Sequence, residues 1–138
     1  MPSLPTKRTL TLAAAKIVAD GADAEAEKNG WKVTIAIVDD GGHLIHLIRR
    51  DGAHLASVDT AIGKARTSGM FRRPTKGLED SINKGRFAFI NAPGIVPLEG
   101  GVPIVIEGDV VGAVGVSGVQ SAQDVQIAEA GIAALLAG

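Results

Sequence analysis

The stretch Trp31-Lys-Val-Thr-Ile-Ala-Ile-Val38, followed by Asp39-Asp-Gly-Gly42 and His43-Leu-Ile-His-Leu-Ile48, decides the fold. The first segment is β-branched and apolar on both faces, which is the pattern of a central strand. Asp39 to Gly42 is a tight-turn signal, and the run from His43 to Ile48 reads as a second strand, so the chain makes a β-hairpin here. A second hairpin is written downstream, with Val102 to Ile106, the turn Glu107-Gly108-Asp109 and Val110 to Val116. Pro103 suits an edge strand or the first residues of a strand, because it cannot donate to a ladder. Two hairpins demand an antiparallel sheet, since parallel neighbours need long crossovers.

Helices flank these hairpins. From Thr11, a candidate N-cap, apolar residues Leu12, Ala14, Ala15, Val18 and Ala22 recur at helical spacing up to a stop at Asn29-Gly30. Ser57 to about Met70 reads as a second helix, in which Gly63 costs on the order of 1 kcal/mol relative to Ala and therefore implies close packing. Thr75 is expected to cap a short helix reaching about Lys84. Residues 85–100 are loop-rich and are expected to hold a short strand near Ile95 to Leu98. Ser121-Ala-Gln-Asp124 reads as a capping-box variant opening a last helix with Val125, Ala128, Ile132 and Leu135 on its buried side. Residues 1–9, with Pro2 and Pro5, form an extended lead to a single domain spanning 1–138.

Composition narrows the function. At 138 residues the chain is one domain, able to bury a core without covalent staples. No cysteine and no tyrosine are present, which removes disulfides, thiolate chemistry, zinc knuckles and phenolate ligands. A net charge of −1 and 3% aromatics argue against a nucleic-acid surface. No apolar run reaches membrane-spanning length and no secretion signal opens the chain, so the expected compartment is the cytoplasm.

The chemistry-bearing residues are few. His43 and His46 lie three apart on an expected strand, so they project to opposite faces and cannot close on one metal ion. His54, after a turn and before a helix, is the histidine best placed to look into a pocket, with an exposed loop imidazole as the stronger competing reading. Asp39, Asp40 and Asp51 read as turn formers. Lys64, Arg66, Arg72, Arg73 and Lys76 occupy a window free of acids between Asp59 and Glu79. Lys64 and Arg66 diverge by about 200° around the helix axis. One of them, beside Thr67, can therefore face a cleft and hold a carboxylate or phosphate, while a fully solvated basic face is the competing reading. Gly112, Gly115 and Gly118 match no nucleotide fingerprint and are expected to admit a close-packed helix or subunit. Gly100-Gly101 can offer backbone N–H groups to an anion.

Several blocks then occur in order: Ile37-Val-Asp-Asp-Gly-Gly42, Arg50-Asp-Gly-Ala53, Ile62-Gly-Lys-Ala-Arg-Thr67 with Phe71 and Pro74-Thr75, Gly100-Gly-Val-Pro-Ile104, Gly112-Ala-Val-Gly-Val-Ser-Gly118 and Gln123-Asp124. Together they resemble the GlcG/HbpS-like family of small haem-binding or haem-degrading proteins, which includes the C-terminal domain of PduO-type corrinoid adenosyltransferases. The resemblance implies an α+β, profilin-like fold, a five-stranded antiparallel sheet flanked by helices, in homo-oligomers from dimers to octamers. Haem-binding relatives use a histidine of the N-terminal helix, and residues 10–30 here contain none, so axial ligation would fall to His43, His46, His54, Met70 or a lysine. The family's cleft maps onto Lys64, Thr67 and Phe71, with Asp51, Gly100 and Gly101 nearby. Phe71 reads either as a stacking wall or as a core residue.

The expected protein thus holds a small anionic ligand, haem or another tetrapyrrole or a small carboxylate, between the sheet and the second helix. Lys64 pairs with the carboxylate, Thr67 and Gly101 N–H add hydrogen bonds, and His54 is a reserve base or metal ligand. Two alternatives stand beside it. One is a cofactor-free lyase, isomerase or hydrolase of a small oxo- or hydroxy-acid, in which Lys64 polarises a carbonyl and His54 or Asp51 moves the proton. The other is an accessory oligomer for a neighbouring enzyme.

Overall fold

The computed structural model describes all of residues 1–138. Helix α1 (Leu12–Asn29) leads into strands β1 (Thr34–Asp39) and β2 (Leu44–Arg49), followed by α2 (Ser57–Phe71) and α3 (Thr75–Asn83). A 3₁₀ turn (Phe87–Asn91) precedes β3 (Gly101–Ile106), β4 (Asp109–Ser117) and α4 (Ser121–Ala137). Thr11 caps α1 by accepting from Ala14 N at 3.1 Å, and Gly30 ends it in the left-handed conformation at φ 68°. Both hairpins form. Their inner strands pair with each other, so the sheet runs β2-β1-β4-β3 and is antiparallel throughout.

The sheet has four strands, not five. Residues 95–98, expected as a short strand, follow an irregular path. Their backbone groups go elsewhere: Val96 N donates to Thr67 Oγ1 at 2.8 Å and Leu98 O accepts from Thr75 Oγ1 at 2.5 Å. Pro97 has no N–H to give a ladder. Two threonine hydroxyls take the place of a fifth strand.

Each face of the sheet has its own packing. Helices α1 and α4 cover one side, where Val18 and Ala22 meet Ile35, Ile37, Ile104, Val114, Val116 and Ile127. Helix α2 covers the other, through Ala61 and Ala65 against Ala36, Val38 and Ala113. Small residues here let α2 approach the sheet closely. A Cβ on Gly115 would strike the carbonyl of Ala61, and one on Gly63 would strike Val96. Of the three spaced glycines in and after β4, Gly115 admits α2, Gly112 clears the β1 backbone at Val38, and Gly118 clears Lys32 O. No helix is long and apolar enough to cross a membrane.

Candidate functional site

Lys64 sits on the buried side of α2 among alanines, and at 4% exposure its ammonium must find partners inside the fold. It donates to Val116 O at 2.9 Å and to Asp124 Oδ2 at 3.1 Å. Asp124 lies in the first turn of α4 and is 2% exposed; its second oxygen accepts from Val119 N at 3.3 Å. Burial pushes its carboxyl up to about 6, an effect opposed by the Lys64 charge and hydrogen bond, by Val119 N–H and by the field of His54. The positive end of the α4 dipole also favours an anion at this position.

The glycine pair lies against this ion pair, close to Lys64 as the family resemblance implies. A Cβ on Gly100, whose φ is 136°, would stand 2.7 Å from Lys64 Nζ, and one on Gly101 would strike the Lys64 carbonyl. Lys64, Gly100 and Gly101 are therefore brought together, but not around an open hollow. The expected anion-binding cleft between the sheet and α2 is closed by Val116 O and the Asp124 carboxylate, which occupy the place assigned to a ligand. The reason is electrostatic: a lysine this far inside requires an internal acid.

Thr67 and Phe71 are likewise committed to the protein. Thr67 Oγ1 donates to Gly63 O at 2.7 Å while accepting from Val96 N, and Phe71 packs edge-on to Phe89 with ring centroids 5.6 Å apart. Arg86 lies 5.3 Å above the Phe89 ring. Thr75, expected as an N-cap, makes no capping bond: Pro74 holds that position, and the threonine hydroxyl accepts from Gly101 N at 2.9 Å. The capping box of α4 is formed by Gln120 and Gln123, one residue earlier than expected, which leaves Asp124 free for Lys64.

The remaining expected site residues face solvent. His54 is exposed, its carbonyl accepting from Ser57 N at 3.0 Å, and its charge reaches Asp124. Asp51 lines an open cavity of about 440 Å³ with Trp31, Lys32 and Arg49, where Arg50 forks onto Asp23 and Glu27. His43 is exposed in the β1–β2 turn and His46 is half-buried on β2. Asp124 and the Val116 carbonyl are the site members that sequence reasoning missed. The available signal was a lysine sharing a helix face with Ala61 and next to Ala65, a face that must be buried.

Known proteins bear on this arrangement. Residues 10–133 match the family model described as haem degrading protein HbpS-like. Protein GlcG of Escherichia coli is 46% identical over 114 residues, covering 83% of this chain and 85% of that protein. A double mutant of Streptomyces reticuli HbpS superposes with a TM-score of 0.86 at 37% identity, over 94% of this chain and 89% of that one. The crystal structure of a PduOC:heme complex superposes with a TM-score of 0.83 at 26% identity, over 92% of this chain and 95% of that one.

Proposed function

Because the chain belongs to the HbpS-like family, we propose that it binds a small ligand of the haem type. The observation that carries the reading is the likeness, over nearly the whole chain, to a protein crystallised with haem. The donor set fits such a group in kind. Two imidazoles and a thioether are available at His43, His54 and Met70, all exposed, whereas α1 holds no histidine or methionine. Bound haem would supply iron-centred chemistry; this chain would hold it with an imidazole, for which His54 is the candidate, and with cations for the carboxylates. Lys64, Gly100 and Gly101 are closed on Asp124 and Val116 O at the β3–β4 side of the sheet, so ligand contact passes to exposed groups. The protein is read further as a profilin-like, cytoplasmic homo-oligomer, with Leu55, Phe87 and Ile90 as apolar side chains available to other copies.

Titration of the purified protein with hemin tests the proposal. A saturable Soret band that weakens or shifts in His54→Ala is the expected result; absence of any saturable spectral change overturns it. Thermal-shift measurement with small carboxylates in the same buffer separates a porphyrin site from a general anion site.

A further inference from the structure

Edge strand β2 is bare on the side where α2 lies. Register decides which of its side chains look that way: Leu44 opposes Val38, Leu47 opposes Ala36 and Arg49 opposes Thr34. Ala36 and Val38 pack on α2, and Thr34 bonds Ser57 of α2 at 2.8 Å, so all three face that helix. Helix α2 itself lies over β1, β4 and β3. Leu44 consequently stays 48% exposed, and Leu47 and Ile62 are half-buried at the margin of the alanine cluster. At the turn end, a Cβ on Gly42 would sit 3.4 Å from Met70 Cγ and 3.7 Å from Arg66 Cα. Met70 is itself 51% exposed.

These residues make an apolar shelf about 17 Å long, from the rise of β2 between Leu44 and Arg49. Its rim is cationic. Arg49 at one end, which also borders the cavity lined by Asp51, and Arg66 on the α2 flank are exposed, and neither joins any of the chain's ion pairs. The acidic side chain on that flank is Asp59, a turn before Ile62. A compact carboxylate would leave the leucines unused. A planar, apolar macrocycle bearing two carboxylates would cover them and neutralise both guanidinium groups. His54 belongs to the Arg49 end, because its carbonyl accepts from Ser57 N, and Ser57 bonds Thr34, the register partner of Arg49.

Resting on the haem-type reading above, we propose that this shelf between β2 and α2 is the tetrapyrrole-binding surface, with Leu44, Leu47, Ile62 and Met70 under the ring and Arg49 and Arg66 on its carboxylates. Metal-free protoporphyrin IX and hemin are the probes, with affinity read by porphyrin fluorescence and by the Soret band. Leu44→Glu should weaken both at least tenfold, and Arg49→Ala with Arg66→Ala should weaken both severalfold and flatten the salt dependence. His54→Ala should affect hemin more than the metal-free ring. Circular dichroism confirms that each exposed-site variant folds. If wild type binds hemin and these variants bind the metal-free ring equally well, the shelf is not the site although the haem reading stands. Should wild type bind neither probe, both readings fall. If Leu44→Glu splits an oligomer without changing porphyrin affinity, the shelf is a contact between copies and the assignment is overturned.

Discussion

The ammonium of Lys64 and the carboxylate of Asp124 stand 3.1 Å apart although sixty positions separate them in the chain. The pair fastens α2, on one face of the sheet, to the first turn of α4, beyond the end of β4. Both groups are almost wholly enclosed, so the loss of either leaves a charge without a partner in a poorly solvating interior.

Lys64→Ala should therefore destabilise the fold by roughly 3–5 kcal/mol. A double replacement, Lys64→Met with Asp124→Leu, removes both charges and should recover most of that loss. Urea unfolding of the three proteins checks this; equal instability of the single and double variants would refute it.

The pH dependence has a definite direction. Burial raises the Asp124 carboxyl to about 6 from an ordinary 3.8. A carboxyl with a raised folded pKa holds its proton more tightly in the fold than in the unfolded chain. Its contribution to stability is therefore greatest below about pH 4 and is lost as pH climbs through 6. Wild type should lose stability relative to Asp124→Asn between pH 4 and 7. The Glu25 and Asp40 carboxyls, held low chiefly by hydrogen bonds from Gln126 and Lys7, act in the opposite sense but cancel in this comparison. A stability difference independent of pH would contradict the assignment.

Thr67→Val keeps the shape of the side chain and deletes the acceptor for Val96 N. The expected cost is about 1–2 kcal/mol, with faster hydrogen exchange at the Val96 amide. Unchanged protection there would mean that the segment around Val96 is held by other contacts.

Gly115→Ala places a methyl group against the backbone of α2, where no flexible side chain can yield. It should cost about 2–3 kcal/mol. Gly77→Ala, on α3, meets the movable end of Arg73 and should be neutral or stabilising by up to about 1 kcal/mol. Thermal melts of the two variants provide the comparison.

Both hairpins and the four α-helices were legible in the sequence, because alternation, helical spacing and turn glycines are local properties. The Thr11 cap and the Gly30 stop are of the same kind. Residues 95–98 were not legible, since an apolar stretch with β-branched residues looks like a strand until its N–H and C=O groups are claimed by Thr67 and Thr75 from elsewhere. Asp124 was hidden for a similar reason. Beside Gln123 it resembles part of a cap, and only tertiary structure reveals the lysine that needs it. The sequence did bring Lys64 and Gly100-Gly101 into one neighbourhood, but it could not say whether that neighbourhood was vacant or filled.

The fit of α2 against Gly115 and Gly101 also limits how this molecule can respond to anything it meets. With only a thin layer of small side chains, Ala61 and Ala65 against Ala36, Val38 and Ala113, between helix and sheet, shear along that plane is resisted. Conformational adjustment is then taken up by residues 84–98, which the Thr67 and Thr75 hydroxyls and the Phe71–Phe89 contact tether to the body without a strand ladder. A change there would register first as loosening at Val96 and Leu98, with the helix and sheet beneath them behaving as one stiff plate.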